Sequence, residues 1–315
     1  MYNTRRNFIK RATTTGAAIL AAPAFFGSSK VSGQQKTTDA VAPFKLKYAP
    51  GLGMFRQHAG QDPIDNIKFC HDQGFRAVFD NGLMRREPEL QEKISNELKR
   101  LGMDFGPFVL RADSGKQDFV LNTQEVRDML ITQMKEGVEV AKRTGAKYAL
   151  VVPGRYDMKL HMDFQTANVI DNLRYCCDIM EPAGVMIVLE PLNHYINHPG
   201  LFLTGIPQTY AICRAVNRPS CKILNDIYHQ QISEGNLIPN IEAAWSEIGA
   251  FHCGDNPGRN EPTTGEINYK NIFKYLYNKK YDGTICMEHG ASQRGTKEGE
   301  ARVIQAYREC DSFEV

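Results

Sequence analysis

Val185-Met186-Ile187-Val188-Leu189-Glu190 is an apolar run that ends on a carboxylate. Two later runs repeat the pattern, Cys221-Lys222-Ile223-Leu224-Asn225-Asp226 and Gly283-Thr284-Ile285-Cys286-Met287-Glu288, and between them Ile248-Gly249-Ala250-Phe251-His252-Cys253 carries a histidine near its end. A short apolar run between helix-like stretches reads as a strand covered on both faces, as in a parallel sheet. Toward the N-terminus, runs of the same kind lie at 45–53, 75–80, 104–110 and 147–153. Amphipathic stretches alternate with them over 64–73, 87–101, 124–144, 166–182, 207–217, 237–246 and 268–279. Gly74, Gly102, Gly145, Gly184, Gly249 and Gly283 mark the helix-to-strand joints, where a helix end favours a left-handed residue. Eight strands with helices between them predict an α/β fold of the (β/α)8 TIM-barrel type, about 270 residues long. An open doubly wound sheet is the competing architecture. However, the loop Gly51-Leu52-Gly53-Met54-Phe55-Arg56 lacks the third glycine of a dinucleotide fingerprint.

The chain has 315 residues, 42% hydrophobic and 23% charged, which excludes a disordered or fibrous protein. Its net charge of +2 comes from the N-terminal 33 residues, where Arg5, Arg6, Lys10, Arg11 and Lys30 face no acid. The remainder is slightly acidic and carries no chain-wide basic face, so no nucleic-acid partner is expected. Thr4-Arg5-Arg6-Asn7-Phe8-Ile9-Lys10 matches a twin-arginine export pattern, and a weakly apolar run from Gly16 to Phe26 follows it. That run is too short to span a bilayer, which takes about 20 residues. Residues 1–33 are therefore assigned as a signal peptide that sends the protein to the periplasm. Residues 34–43 are a polar linker, and 44–315 form a single catalytic domain. No later segment has the length and apolarity of a membrane helix, so no stable membrane insertion is expected after cleavage. Homo-oligomerisation is left open by the sequence.

Polar residues on the strands point to function. Glu190, Asp226 and Glu288 end the fifth, sixth and eighth strands, and His252 lies at the end of the seventh. In a barrel these ends share one rim, where catalytic groups gather. A lone acid on a buried strand can be a hydrogen-bonded structural group. Four such groups on successive strands, each costly to bury alone, point to a metal site. Three carboxylates and one imidazole suit one divalent ion of the Mn²⁺, Mg²⁺ or Co²⁺ kind better than structural zinc or copper.

Several motifs give the mature chain a family likeness. They are Phe55-Arg56-Gln57-His58, Glu190-Pro191-Leu192-Asn193, Asp226-Ile227-Tyr228-His229-Gln230-Gln231, and Gly254-Asp255-Asn256-Pro257-Gly258-Arg259-Asn260-Glu261-Pro262 with Gly265-Glu266-Ile267-Asn268-Tyr269. With them the chain resembles the xylose-isomerase-like barrels, and among these the hydroxypyruvate isomerase branch. The resemblance implies that Glu190, Asp226 and Glu288 bind a divalent metal and that the two glutamates shuttle a proton as acid and base. The position of His252 is Gln in hydroxypyruvate isomerases and His in ketose 3-epimerases. His229 matches an epimerase residue that contacts a substrate oxygen. Arg259 is a candidate to hold a carboxylate or sugar hydroxyl, with a loop-stabilising ion pair as the alternative. His58 and Asn193 are further substrate-binding candidates on the rim, whereas His194 and His198 read as loop residues.

These parts imply a metal-dependent isomerase or epimerase of a small hydroxy-carbonyl sugar or sugar acid, working through an enediolate. The alternatives are a lyase or hydrolase of oxidised sugars, in which the same enediolate eliminates a substituent, and a non-catalytic sugar-binding protein. The related nucleic-acid repair branch uses three zinc ions on many histidines, and this chain has 8 His in all. Its 8 Cys lack CxxC spacing and are expected as buried thiols. Alternation along the strands predicts that Cys253 and Cys286 turn away from the barrel centre.

Overall fold

The computed structural model describes residues 41–315. The signal peptide assigned to 1–33, and the linker as far as residue 40, lie outside the described residues. Nine parallel strands follow in chain order: β1 (Lys47–Pro50), β2 (Ala77–Val78), β3 (Asp104–Phe105), β4 (Phe108–Ala112), β5 (Tyr148–Val152), β6 (Met186–Leu189), β7 (Cys221–Asp226), β8 (Ile248–Cys253) and β9 (Thr284–Met287). Seven of them form one sheet in the order β1-β9-β8-β7-β6-β5-β4, and β2 pairs with β3. Backbone bonds close the ring. Phe79 N donates to the Pro50 carbonyl at 3.1 Å, Leu52 N to Phe79 at 3.0 Å, and Gly106 N to Val78 at 2.8 Å.

The single strand expected at 104–110 is in fact two, β3 and β4, separated by Gly106-Pro107. Pro107 has no N–H to give to a ladder. A Cβ at Gly106 would stand 2.7 Å from Cys286 Sγ and 2.9 Å from Phe79 Cβ. The chain thus passes very close to two neighbouring strand positions and jogs sideways, so β3 and β4 together fill one of the eight places of the barrel.

The helices are α1 (Arg56–Ala59), α2 (Pro63–Asp72), α3 (Pro88–Leu101), α4 (Gln124–Thr144), α5 (Met162–Met180), α6 (Ile206–Val216), α7 (Ile227–Ser233), α8 (Leu237–Ala244), α9 (Tyr269–Asn278) and α10 (Lys297–Asp311). Gly102 and Gly145 end α3 and α4 with φ of 64° and 73°, a conformation that costs glycine little. Gly249 is no joint: it lies inside β8, where a Cβ would come within 2.8 Å of Met186 Sδ. The first-turn donors of α4 and α10 meet Thr123 and Thr296 caps. No helix among the described residues is long and apolar enough to cross a membrane.

The largest apolar cluster lies between the barrel wall and its helices, and includes Phe44, Tyr48, Phe251, Phe273 and Tyr307. Smaller clusters gather Leu150, Val188, Leu224 and Ala250, and separately Ala49, Ala77, Phe79 and Cys286. Side chains two apart share a face of a strand. Val188, Leu224, Ala250 and Cys286 each precede a polar residue by two: Glu190, Asp226, His252 and Glu288. The polar set therefore continues the same strand faces toward their C-terminal ends. This corrects the expectation for Cys286, which shares the face of Glu288. Cys253 does turn outward, with Sγ 3.0 Å from Tyr307 Oη. All eight cysteines are buried free thiols.

Candidate functional site

Register places two of the four polar side chains. Asp226 and His252 are direct partners in the β7/β8 ladder. Glu190 and Glu288 immediately follow β6 and β9, the strands on either side of that pair. Glu190, Asp226, His252 and Glu288 each offer a ligand atom, and these atoms all lie within 4.8 Å of one another. Glu190 is 4% exposed and Asp226 and His252 are fully buried, so the cluster opens along Glu288, whose side chain is 23% exposed. His252 Nδ1 lies 3.1 Å from Glu288 Oε2 and 3.4 Å from Glu190 Oε1.

The unsatisfied atoms say what such a cluster lacks. Glu190 Oε1 and His252 Nε2 are buried without a hydrogen-bond partner. Buried polar atoms are rarely left so, because each forfeits its water for nothing. Three carboxylates and an imidazole that converge in this way fit a divalent cation, which these four residues have the donor types to hold.

Asp226 has a second task. Its Oδ1 accepts from Tyr228 N at 2.8 Å and His229 N at 3.3 Å, so it caps α7 while Oδ2 faces the cluster. The cap fixes His229 beside it, with Nε2 3.6 Å from Asp226 Oδ2. Asn193 is fully buried, and its Nδ2 donates to His229 Nδ1 at 2.6 Å. An amide N–H only donates, so Nδ1 is the acceptor and Nε2 carries the ring proton. Burial pushes the His229 imidazole down to about 4 and keeps it neutral. Asn193 thus acts on the site through His229. Its Oδ1 also closes the following turn by accepting from Ile196 N and Asn197 N.

Arg259 reaches the cluster from the loop after β8. Buried Asp255 accepts backbone bonds from Asn256, Thr264, Gly265 and Ile267, which folds that loop back on itself. Arg259 Nη2 then meets Asp226 Oδ2 at 2.8 Å and Glu288 Oε2 at 2.6 Å, and its Nε donates to the Glu288 carbonyl. Its ion pairs are made with the cluster acids.

The two glutamates are driven apart electrostatically. Burial, reinforced by the charge of Glu288, raises the Glu190 carboxyl above its usual range. Burial also acts to raise Glu288, but the His252 imidazolium and the Arg259 guanidinium outweigh it and hold that carboxyl low.

His58 does not join this group. Its Nδ1 lies 2.6 Å from Glu300 Oε2 and its ring stacks on Phe69, which ties α1 to α10 and α2. His194 stacks on exposed Tyr195, whereas His198 packs against His229 with ring centroids 5.4 Å apart. Sequence reasoning passed over Asn81, whose Nδ2 donates to Glu288 Oε1 at 2.6 Å. Its signal was its place just past the second strand, on the rim shared by the other strand ends.

Comparison with known proteins agrees with this architecture. Residues 67–310 match the family model for xylose isomerase-like TIM barrels. Hydroxypyruvate isomerase of Escherichia coli K12 is 33% identical over 172 residues, covering 54% of this chain and 65% of that protein's length. The 2-oxo-tetronate isomerase of Pectobacterium atrosepticum is 30% identical over 230 residues, which cover 72% of this chain and 86% of the relative. Among solved structures, 3-keto-D-glucoside 4-epimerase of E. coli shares the fold, with a TM-score of 0.69 at 19% identity over 84% of this chain and all of the other. With 244 residues under one family model, and a relative of 30% identity matched over most of its length, this chain belongs to the xylose isomerase-like TIM barrel family, in its hydroxypyruvate isomerase branch.

Proposed function

We propose that the protein is a divalent-metal-dependent isomerase or epimerase of a small hydroxy-carbonyl sugar or sugar acid. The observation that carries this reading is the convergence of Glu190, Asp226, His252 and Glu288, with two of their buried atoms unsatisfied. Relatives named hydroxypyruvate isomerase and 2-oxo-tetronate isomerase support the substrate class. The oxygen-rich donor set favours Mn²⁺, Mg²⁺ or Co²⁺. A divalent ion in such a site supplies Lewis-acid polarisation of a carbonyl and its neighbouring hydroxyl.

The remaining steps belong to side chains. Glu288, ion-paired with Arg259, takes the proton from the carbon beside the carbonyl. Glu190, the buried glutamate on the other side of the cluster, returns one to the neighbouring carbon in an isomerase or to the opposite face in an epimerase. The direction reverses with the substrate. His229 offers its Nε2–H to a substrate oxygen, oriented by Asn193. Arg259 pairs a substrate oxyanion or hydroxyl.

The test is proton exchange. Metal-loaded protein is incubated in deuterated water with a panel of free sugars and sugar acids, and the carbon beside each carbonyl is followed by NMR. Deuterium at that carbon in at least one compound is the expected result. Tight binding with no exchange would instead identify a sugar-binding protein, and loss of a substituent would identify a lyase.

We also propose that residues 1–33 direct twin-arginine export of the catalytic domain 44–315 to the periplasm. Arg5→Lys with Arg6→Lys keeps the charge but removes the guanidinium pair. The double variant is expected to stay in the cytoplasm with its signal uncleaved; normal recovery from the periplasm refutes this route.

A further inference from the structure

The sheet stops supporting the site one residue too early. Met287 is the last β9 residue in the ladder with β8, where it stands opposite Cys253. Its partner on the other side is Pro50 of β1, which has no N–H to give. Glu288 N turns back to the Cys286 carbonyl of its own strand at 3.0 Å. Glu288 therefore hangs on a main chain that has left the barrel wall. His252, by contrast, lies within the ladder, opposite Cys286.

Part of what replaces the ladder lies behind the wall, on α10. Cys253 turns outward beside His252, and His289 does the same beside Glu288. Both meet one phenol: Tyr307 Oη lies 2.9 Å from His289 Nε2 and 3.0 Å from Cys253 Sγ. His289 Nδ1 is 2.6 Å from the Gly290 carbonyl, which can only accept, so that nitrogen carries a proton. In the neutral ring Nε2 is then an acceptor, and Tyr307 donates to it. The phenol is fully buried; its ring stacks on the His289 imidazole with the planes 12° apart and meets the Tyr48 ring edge-on. A hydroxyl so enclosed has no water to turn to, which makes the bond costly to break. Arg259 holds the same segment from the loop after β8, with Nε on the Glu288 carbonyl at 3.1 Å and its own carbonyl accepting from Gly290 N at 2.9 Å.

We propose that Tyr307 is a positioning residue of the site. Through His289 and Cys253 it fixes the separation of Glu288 and His252, and with it the geometry in which the cluster holds a divalent ion. The inference rests on the metal-dependent reading and adds to it a group outside the barrel wall that touches neither ion nor substrate.

Tyr307→Phe keeps the ring and removes the oxygen, and Tyr48→Phe is its control. Tyr48 is equally buried, and its Oη donates to Asp311 Oδ1 at 2.9 Å, away from the cluster. Calorimetric titration with Mn²⁺ and visible absorption of the Co²⁺-loaded proteins read the site, while thermal melting reads the fold. Both variants are expected to melt at lower temperature than the wild type. Tyr307→Phe is expected to bind Mn²⁺ about tenfold more weakly and to shift the Co²⁺ bands, as when a group behind a metal ligand is removed. Tyr48→Phe should match the wild type in both. Unchanged binding and spectrum in Tyr307→Phe, or equal losses in the two variants, overturn the inference.

His289 tests the same link from its other end, and does so even if Tyr307→Phe fails to fold. His289→Gln sets an amide oxygen near the place of Nε2 and is expected to keep most of the Mn²⁺ affinity. His289→Leu is expected to fall as far as Tyr307→Phe. Equal affinity in these two variants overturns the inference. If the wild type takes up no divalent ion, the metal-dependent reading falls, and crystal structures of the wild type and Tyr307→Phe decide the positioning role by themselves. The 3.1 Å separation of His252 Nδ1 and Glu288 Oε2 is then expected to widen by more than about 0.5 Å in the variant, and no change overturns the inference.

Discussion

Glu288→Gln is expected to keep much of the substrate affinity while turnover falls by about 10²–10⁴-fold. The substitution keeps size and one oxygen but removes the capacity to take up a proton at neutral pH. Local geometry suggests that it is accommodated. Glu288 Oε1 now accepts from Asn81 Nδ2 and Oε2 accepts from Arg259 Nη2. An amide can keep its oxygen on Arg259 and turn its NH₂ toward Asn81. Asn81 Oδ1 is buried and unpartnered, so a flip of that side chain restores the bond. The same loss is expected for Glu190→Gln, since isomerisation and epimerisation both need one proton removed and one delivered. The two variants separate in a partial reaction: the one that keeps the base for a given substrate still exchanges its C–H with deuterated water without forming product. Metal content is measured alongside, because loss of the ion imitates loss of the base. Either variant, fully metal-loaded and turning over at the wild-type rate, would show the two-glutamate mechanism to be wrong.

Asp226→Ala is expected to have two effects that Asp226→Asn separates. The alanine removes a charged donor from the cluster, leaves Arg259 with one acid in place of two, and takes the cap from α7. Loss of a cap costs about 0.5–2 kcal/mol, so the melting temperature should drop. The asparagine keeps an oxygen for Tyr228 N and His229 N and should hold most of that stability. Both variants should lose metal. Even the loss of a partner behind a ligand lowers metal affinity about 10–100-fold, and losing the charged ligand itself should exceed that range. Elemental analysis after gel filtration reads the outcome. Wild-type metal content in the asparagine variant would remove Asp226 from the metal site.

The relation of chain to structure explains why some of this site was legible in advance. Period-two alternation and the spacing between strands are local properties. A barrel turns strand ends into neighbours, so Glu190, Asp226, His252 and Glu288 could be expected at one rim from their places in the chain. Parity needed only careful counting, and it misled at Cys286, where the two-residue step to Glu288 was overlooked. The break at Gly106-Pro107 also had a local signal in the missing N–H, but the close approach of Cys286 and Phe79 that makes glycine necessary joins residues far apart in the chain.

By itself the sequence determined the strand-and-helix alternation, the buried thiols and the gathering of three acids and an imidazole, because each depends on residue type and short-range period. Only the tertiary structure decided which loop side chains meet them. Arg259 turns inward because Asp255 folds its loop, while Asn81 arrives from just past β2, two places around the ring from β9. His58, from an equally suggestive motif, is drawn instead to Glu300, 242 residues away. A loop side chain has no periodic backbone direction to inherit. Its aim is set by whichever charge or hydrogen-bond partner the closed barrel brings within reach.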